Sequence, residues 1–300
     1  MLSPDYEVTV AQAFAGQESD LLIALHARRS AAAIVGFQAR NPVSPVILTL
    51  TGTDLYKDIP NRDADALASL RFASHWIVLQ EDAPRFLSEL NVELLPPGEF
   101  RDIQVVFQSA PAMPPALNPS GILNVAFVGH LRDEKDPRTL FEAIRLLDKS
   151  LPIAVNAVGN GLDNALAAEA SQLAADDARF AWLGGLSHEK TRELIRQADL
   201  LVVPSRMEGG ANVIAEALTA GTPVAASSVS GNIGMLGRDW PAYFPVGNAQ
   251  VLADLLRACL TEEHFLTHLN AAALARAPIF TPEAERTALR AVVADALAKK

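Results

Sequence analysis

Short apolar runs rich in valine, isoleucine and leucine alternate with Ala/Leu-rich amphipathic stretches along this chain, and that rhythm leaves few folds open. Runs at 8–11, 21–25, 46–51, 76–79 and 103–107 read as strands, with helices expected at 30–40, 64–72 and 82–90. Strands separated by helices of this length form βαβ units, whose strands lie parallel because each helix carries the chain back to the same end of the sheet. The stretch from Ser109 to Gly121 then breaks the rhythm with four prolines. Proline fixes φ and lacks a backbone donor, so this stretch reads as an extended linker. Beyond it the alternation resumes, with strands expected at 122–128, 153–158, 180–183, 200–203 and 223–226. Helices are expected at 137–147, 163–174, 188–197, 212–220, 249–260 and 282–298.

The expected fold is therefore α/β, with two Rossmann-like, doubly wound domains facing a cleft. A first domain is expected over 1–118, a second over 119–280, and a C-terminal helix over 281–300 packing back on the first. A chain of 300 residues, 50% of them hydrophobic, has enough apolar surface for two cores. Thirty-five acidic against 25 basic residues, a formal charge of -10, argue against a nucleic-acid or anionic-membrane partner, which needs a basic surface. A local basic pocket for a small anion stays open. The single cysteine, Cys259, has no internal disulfide partner. No Cys/His cluster has metal-ligand spacing, and no D-x-D pair stands in a convincing loop. No signal stretch opens the chain, and no apolar run approaches the roughly 20 residues of a membrane span. These features predict a soluble cytoplasmic protein without a metal or other resident cofactor.

Ligands of doubly wound sheets bind outside the carboxyl ends of the strands, and the richest loop there is Pro204-Ser-Arg-Met-Glu208-Gly-Gly-Ala-Asn212-Val-Ile-Ala-Glu216. It follows a strand and opens a helix that stops at Ala220-Gly-Thr-Pro223. Gly209 and Gly210 let the backbone approach a ligand closely. The amides of Gly209, Gly210, Ala211 and Asn212 then lie at a helix start, which suits a phosphate or diphosphate. Glu208 and Glu216 stand eight residues apart, a little over two helical turns. One carboxylate can then serve each end of an extended ligand with an anionic middle, the layout of a nucleotide sugar. The plainer alternative makes Glu208 a helix cap and Glu216 a solvated helix residue.

This segment resembles the E-x7-E motif of family-4-type glycosyltransferases of the GT-B fold. Phe127-Val-Gly129-His-Leu-Arg132-Asp-Glu-Lys135 resembles that family's G-R-L-x-x-E-K loop. Val158-Gly-Asn-Gly161 resembles its V-G-x-G turn, and Ser227-Ser-Val-Ser-Gly231 its S-x-x-G-G loop. The resemblance implies that Glu216 binds the donor ribose and Glu208 the sugar hydroxyls and the chemistry. Lys135, Gly129 and the amides of Gly209, Gly210, Ala211 and Asn212 would meet the diphosphate. His130 stands where the family has arginine, and Arg132 is the candidate to supply the guanidinium.

Two loops of the first domain point to an acceptor. His26 ends a strand and is followed by Arg28, Arg29 and Ser30 before a helix. With Ser30 as N-cap, that helix start and its arginines would form an anion site. Thr51, Gly52, Thr53 and Asp54 form the second loop, where Gly52 permits close approach and the others offer hydrogen bonds. Their plainer readings are a packed histidine, arginines in salt bridges, and a turn capped by Asp54. The segments A-L-H-A-R-R-S-A, L-T-G-T-D-L-Y, I-V-L-Q and V-F-Q-S-A, with G-H-L-R-D-E-K-D-P, resemble one narrow subgroup, the selenosugar synthases of selenoneine biosynthesis. That resemblance implies transfer of a sugar, N-acetylglucosamine, from a UDP-sugar to selenophosphate, with loss of phosphate leaving a 1-selenosugar. It also implies contact with other enzymes of that pathway. His26 would orient sugar or acceptor, with proton transfer as its second role.

Two alternatives stand beside this reading: a family-4-like transferase with a hydroxyl acceptor, and an inactive UDP-sugar-binding subunit. Enzymes of this fold begin with a strand, a Gly-rich loop and a long helix. This chain starts at what reads as the end of that helix, so the first domain is expected to lack that unit. Full activity is therefore expected only of a chain extended upstream.

Overall fold

The computed structural model describes residues 1–90, 102–116 and 120–299. The chain divides into two units, Met1–Gln108 with Pro282–Lys300, and Ser109–Thr281. The boundary expected at 118–119 touches residues outside the described ones; the division itself falls earlier, after Gln108.

In the N-terminal unit four strands, β1 (Leu22–Leu25), β2 (Val46–Leu50), β3 (His75–Val78) and β4 (Asp102–Val105), form one parallel sheet in that order. Helices α1 (Ala31–Arg40), α2 (Ala64–Phe72) and α3 (Ala83–Glu89) connect them. Alternating strand residues face opposite sides. Leu48 and Leu50 of β2 pack with Ile34, Phe37, Leu55 and Leu70, while Ile47 faces Val292, Val293 and Ala296. The latter three belong to the last helix, Pro282–Ala298, so the chain's end covers the second face of its first sheet.

The strand expected at 8–11 does not form. Val10 is 92% exposed there, and no described strand runs beside it. A V-T-V-A pattern satisfies strand periodicity locally, but a strand needs a neighbour to complete its hydrogen bonds. The segment before β1 is held instead by scattered contacts: Phe14 packs edge-on against Phe37, and Asp5 pairs with Arg290 at 2.7 Å.

The second unit holds β5 (Leu123–Val128), β6 (Ile153–Val158), β7 (Phe180–Trp182), β8 (Leu200–Val203), β9 (Val224–Ser227) and β10 (Tyr243–Phe244). They form a parallel sheet in the order β10-β9-β8-β5-β6-β7. Its helices are α4 (Pro137–Leu146), α5 (Asn164–Asp176), α6 (His188–Gln197), α7 (Asn212–Thr219), α8 (Ser230–Leu236), α9 (Ala249–Thr261) and α10 (Phe265–Arg276), and α11 is Pro282–Ala298 of the first unit. Capping explains several starts. Asp163 accepts from the amides of Ala165 and Leu166, Ser187 from Lys190, and Asn248 from Val251. From β5 the chain builds outward to β6 and β7, then returns to add β8 on β5's other side. The order therefore reverses between β5 and β8, the place where such sheets open a ligand crevice.

Helices α8 and α10 and the strand β10 were not anticipated. Gly231 and Gly234 dilute the apolar pattern of α8, and α10 has no clear apolar face. Among the described residues no helix is long and apolar enough to cross a membrane.

Candidate functional site

The loop after β5 and the loop after β8 flank the reversal point, and both carry the predicted donor residues. Lys135 ends a short turn over Asp133–Lys135 and reaches across to the second loop, where its Nζ lies 2.6 Å from Glu208 Oε1. The buried Ser205 hydroxyl donates to the same oxygen at 2.6 Å. Ser205 is held in turn by its carbonyl, which accepts from Ser227 Oγ, and Ser227 is bonded by Asn232 Nδ2. A Cβ on Gly231 would stand 1.8 Å from the Glu208 carbonyl oxygen, so only glycine lets α8 approach the Glu208 backbone this closely. Gly159, at φ 145°, plays the same part across the β5 and β6 loops, since a Cβ there would meet the Gly129 carbonyl at 2.0 Å.

Glu216 lies within α7 and is 6% exposed. Its Oε1 accepts from Asn212 Nδ2 at 2.9 Å and from His188 Nε2 at 2.9 Å. Glu208, 9% exposed, is built alike. Each carboxylate has Oε1 held by two donors, while Oε2 has no hydrogen-bond partner among the described residues. The plainer reading of the pair is thereby set aside. Ala211, not Glu208, stands at the start of α7 without a side-chain cap, and Glu216 is buried. Among the described residues nothing accepts from the backbone N–H groups of Gly209, Gly210, Ala211 or Asn212. Buried carboxylates and oriented amides of this kind suit hydroxyls and a phosphate respectively.

The basic residues are distributed differently from expectation. Lys135, assigned to a diphosphate, is ion-paired with Glu208. Arg132 is half exposed, its Nε 3.9 Å from Glu134. His130 accepts at Nδ1 from the Asn160 amide at 3.1 Å. Sequence reasoning passed over Arg206, whose amide donates to the Glu134 carbonyl and whose guanidinium lies 3.2 Å from the buried Asp136. His188 was also missed. Its only sequence signal is a histidine at the first position of a helix that starts at the carboxyl end of the sheet.

In the N-terminal unit most of the predicted acceptor residues are bonded to partners of their own unit. Ser30 is not a capping side chain: its Oγ donates to the Leu25 carbonyl at 2.6 Å, and α1 starts without a side-chain cap. Gly52 and Thr53 begin a helical turn, not an open loop, and it continues as a π-helical segment over Asp54–Asp58. Asp54 is fully buried and uses both oxygens locally. Oδ1 accepts from the Thr51 amide and hydroxyl, each at 2.7 Å, and Oδ2 from the Ala27 amide at 2.8 Å. Arg28 donates to Asp58 at 2.9 Å, and that bond holds its guanidinium pKa above the usual value. Arg29 is exposed, with no acidic partner among the described residues. The open anion site expected from Ser30, Arg28 and Arg29 thus reduces to Arg29.

His26 stands apart. It is buried, and its φ of 70° is unusual for a residue with a side chain. Its Nδ1 accepts from the Arg29 amide at 3.4 Å and is 3.9 Å from Asp54; its Nε2 is 3.9 Å from Asp58 yet has no hydrogen-bond partner among the described residues. A strained, buried imidazole whose Nδ1 accepts from the backbone keeps its proton on Nε2, an arrangement able to orient a hydroxyl.

Elsewhere, His75, Asp102 and Asp295 bring three potential metal-ligand atoms within 4.8 Å of one another. The Lys299 ammonium already lies on both carboxylates, at 2.5 and 2.8 Å, which makes the group an ion-pair network. Cys259 is buried in α9, and burial pushes its thiol up to about 12, far from reactive.

Residues 116–276 match the family model for glycosyl transferases group 1. A D-inositol 3-phosphate glycosyltransferase of Mycobacterium sp. (strain KMS) is 39% identical over 111 residues, 36% of this chain and 25% of that protein. The chain thus spans about a quarter of the length of such curated relatives. Among solved structures, Anabaena HepE in complex with UDP superposes with a TM-score of 0.73 at 17% identity, over 92% of this chain and 79% of that one. Sucrose-phosphate synthase from Thermosynechococcus elongatus gives 0.75 at 20% identity, over 94% and 74%. At these identities the likeness concerns the fold, which is the two-domain α/β GT-B fold with parallel sheets.

Proposed function

The chain belongs to the glycosyl transferases group 1 family, and on that premise we propose that it transfers a sugar from a UDP-sugar held in its C-terminal unit. The observation that carries this reading is the pair Glu208 and Glu216, buried eight residues apart with one open oxygen each. Glu216 takes the ribose hydroxyls and Glu208 those of the sugar. The amides of Gly209, Gly210, Ala211 and Asn212, which have no acceptor among the described residues, receive the diphosphate with Lys135. The UDP bound by Anabaena HepE supports the choice of nucleotide.

The finer reading is N-acetylglucosamine transfer to selenophosphate, and it rests on the motif resemblance around His26 and Asp54. Selenium attacks the anomeric carbon, the bond from that carbon to the diphosphate oxygen breaks, and UDP departs with the electron pair. Water then cleaves the P–Se bond, releasing phosphate and a 1-selenosugar. Such a nucleophile needs little base assistance, so the enzyme contributes positioning and stabilisation of the departing UDP. Arg29, exposed and without an acidic partner among the described residues, is the group that meets the acceptor's phosphate. One observation favours a second reading, a hydroxyl acceptor: His26 lies between Asp54 and Asp58, its Nδ1 accepts from the Arg29 amide, and its Nε2, without a partner among the described residues, is left to donate to a hydroxyl and orient it.

Incubation with UDP-N-acetylglucosamine and either selenophosphate or sugar alcohols separates the readings. Equal release of UDP and phosphate with selenophosphate is the expected result. UDP release only with alcohols favours the second reading. UDP binding without turnover of either acceptor would return the chain to a donor-binding subunit.

A further inference from the structure

Glu216 is pinned by a residue that no sequence motif marks. Asn212 stands one turn earlier on the same helix, so it can follow the carboxylate through its rotamers. His188 belongs to another helix, α6, and its Nε2 lies 2.9 Å from Glu216 Oε1 across 28 residues of chain. A carboxylate only accepts, so Nε2 carries the proton and donates. This external bond fixes the direction of the carboxylate plane and leaves Oε2 as its open acceptor. The imidazole is otherwise on the surface, with 74% of the side chain exposed, so it contributes little to any core.

We infer that His188 is a positioning residue for nucleotide recognition, holding Glu216 from α6 so that Oε2 meets the ribose hydroxyls of a uridine diphosphate. The inference rests on the donor-site reading above. Its physical basis is preorganisation: a carboxylate already aimed at the diol loses less freedom on binding than one that must be ordered by the ligand. His188 touches neither the diphosphate nor the sugar in this reading. Its loss therefore falls on binding of the nucleoside and leaves the chemical step alone.

Calorimetric titration of the whole chain with UDP and with 2′,3′-dideoxyuridine diphosphate tests this. His188→Ala should weaken UDP about tenfold, the scale of one charge-assisted hydrogen bond. The same variant should bind the dideoxy nucleotide like the wild type, because that ligand lacks the hydroxyls Glu216 would receive. His188→Gln restores an N–H donor and should recover most of the UDP affinity. In turnover, His188→Ala should raise KM for the UDP-sugar with kcat unchanged, the signature of lost uniform binding. Glu216→Gln separates this inference from its premise. If Glu216→Gln loses UDP while His188→Ala binds it normally, or loses both nucleotides equally, the role of His188 is overturned and the donor site stands. If Glu216→Gln binds UDP as the wild type does, the donor-site reading falls, and this inference with it.

Discussion

Three buried carboxylates, Glu208 and Glu216 in the C-terminal unit and Asp54 in the N-terminal unit, use their oxygens in opposite ways. In the C-terminal unit Glu208 and Glu216 each have one oxygen fixed by two donors and one left open. In the N-terminal unit Asp54 is just as buried, but three donors from its own neighbourhood take up both oxygens. The first arrangement leaves acceptor capacity pointed at something outside the fold. The second completes the fold itself. Burial and charge are similar in the two places, so neither identifies a recognition site. What differs is whether the hydrogen-bonding capacity of the group is exhausted by the protein.

The strongest challenge to this contrast comes from Glu208. Glu208→Gln keeps the shape of the side chain but removes the charge opposite Lys135. Turnover, followed as UDP release, should fall by about a hundredfold to a thousandfold, while the thermal midpoint stays close to that of the wild type. A variant with near-normal turnover would show that the open oxygen is idle. Asp54→Ala should do the reverse. It leaves the buried Ala27 amide and both donors of the half-buried Thr51 without their acceptor, which should lower the stability of the N-terminal unit by about 3 kcal/mol in urea unfolding. UDP binding by the C-terminal unit should survive in that variant wherever the unit remains folded. Loss of UDP binding without loss of stability would reverse the roles assigned to the two carboxylates.

A smaller effect is expected at the surface of the N-terminal unit. Lys299, and after it His75, hold the Asp295 carboxyl below the usual carboxylate range. A group whose folded pKa is depressed stabilises the fold above its unfolded pKa, about 3.9, and that stability is lost as pH falls through the folded value. Thermal midpoints measured from neutral pH downward should therefore drop more steeply below about pH 4 in the wild type than in Asp295→Asn. The variant should be the less stable of the two only at higher pH. Parallel curves would mean that the network joining α11 to β3 and β4 carries no net stabilisation.

Much of the fold was legible because the central strands of a parallel sheet are buried on both faces and read as unbroken apolar runs. Ile153–Val158 and Leu200–Val203, and the helices His188–Gln197 and Pro282–Ala298, appear where the pattern places them. The segment at 8–11 carries the same local signal and fails, because a strand also requires a partner that the pattern alone does not supply. α8 and α10 escaped notice for the opposite reason: tertiary packing makes helices of stretches whose own periodicity is weak. The loop from Glu208 to Glu216 was readable because its residues are contiguous.

The amino-acid order alone determined the α/β class, the parallel sheets and the position of two glutamates at a helix start, since periodicity and short-range spacing are properties of neighbours in the chain. The tertiary structure decided which polar groups remain available. Lys135 meets Glu208 across 73 residues, His188 meets Glu216 across 28, and Arg28 meets Asp58 across 30. Such pairings arise from the order in which strands are laid into a sheet, and the hydrogen-bonding capacity they leave over is fixed only when distant loops arrive at the same end of it.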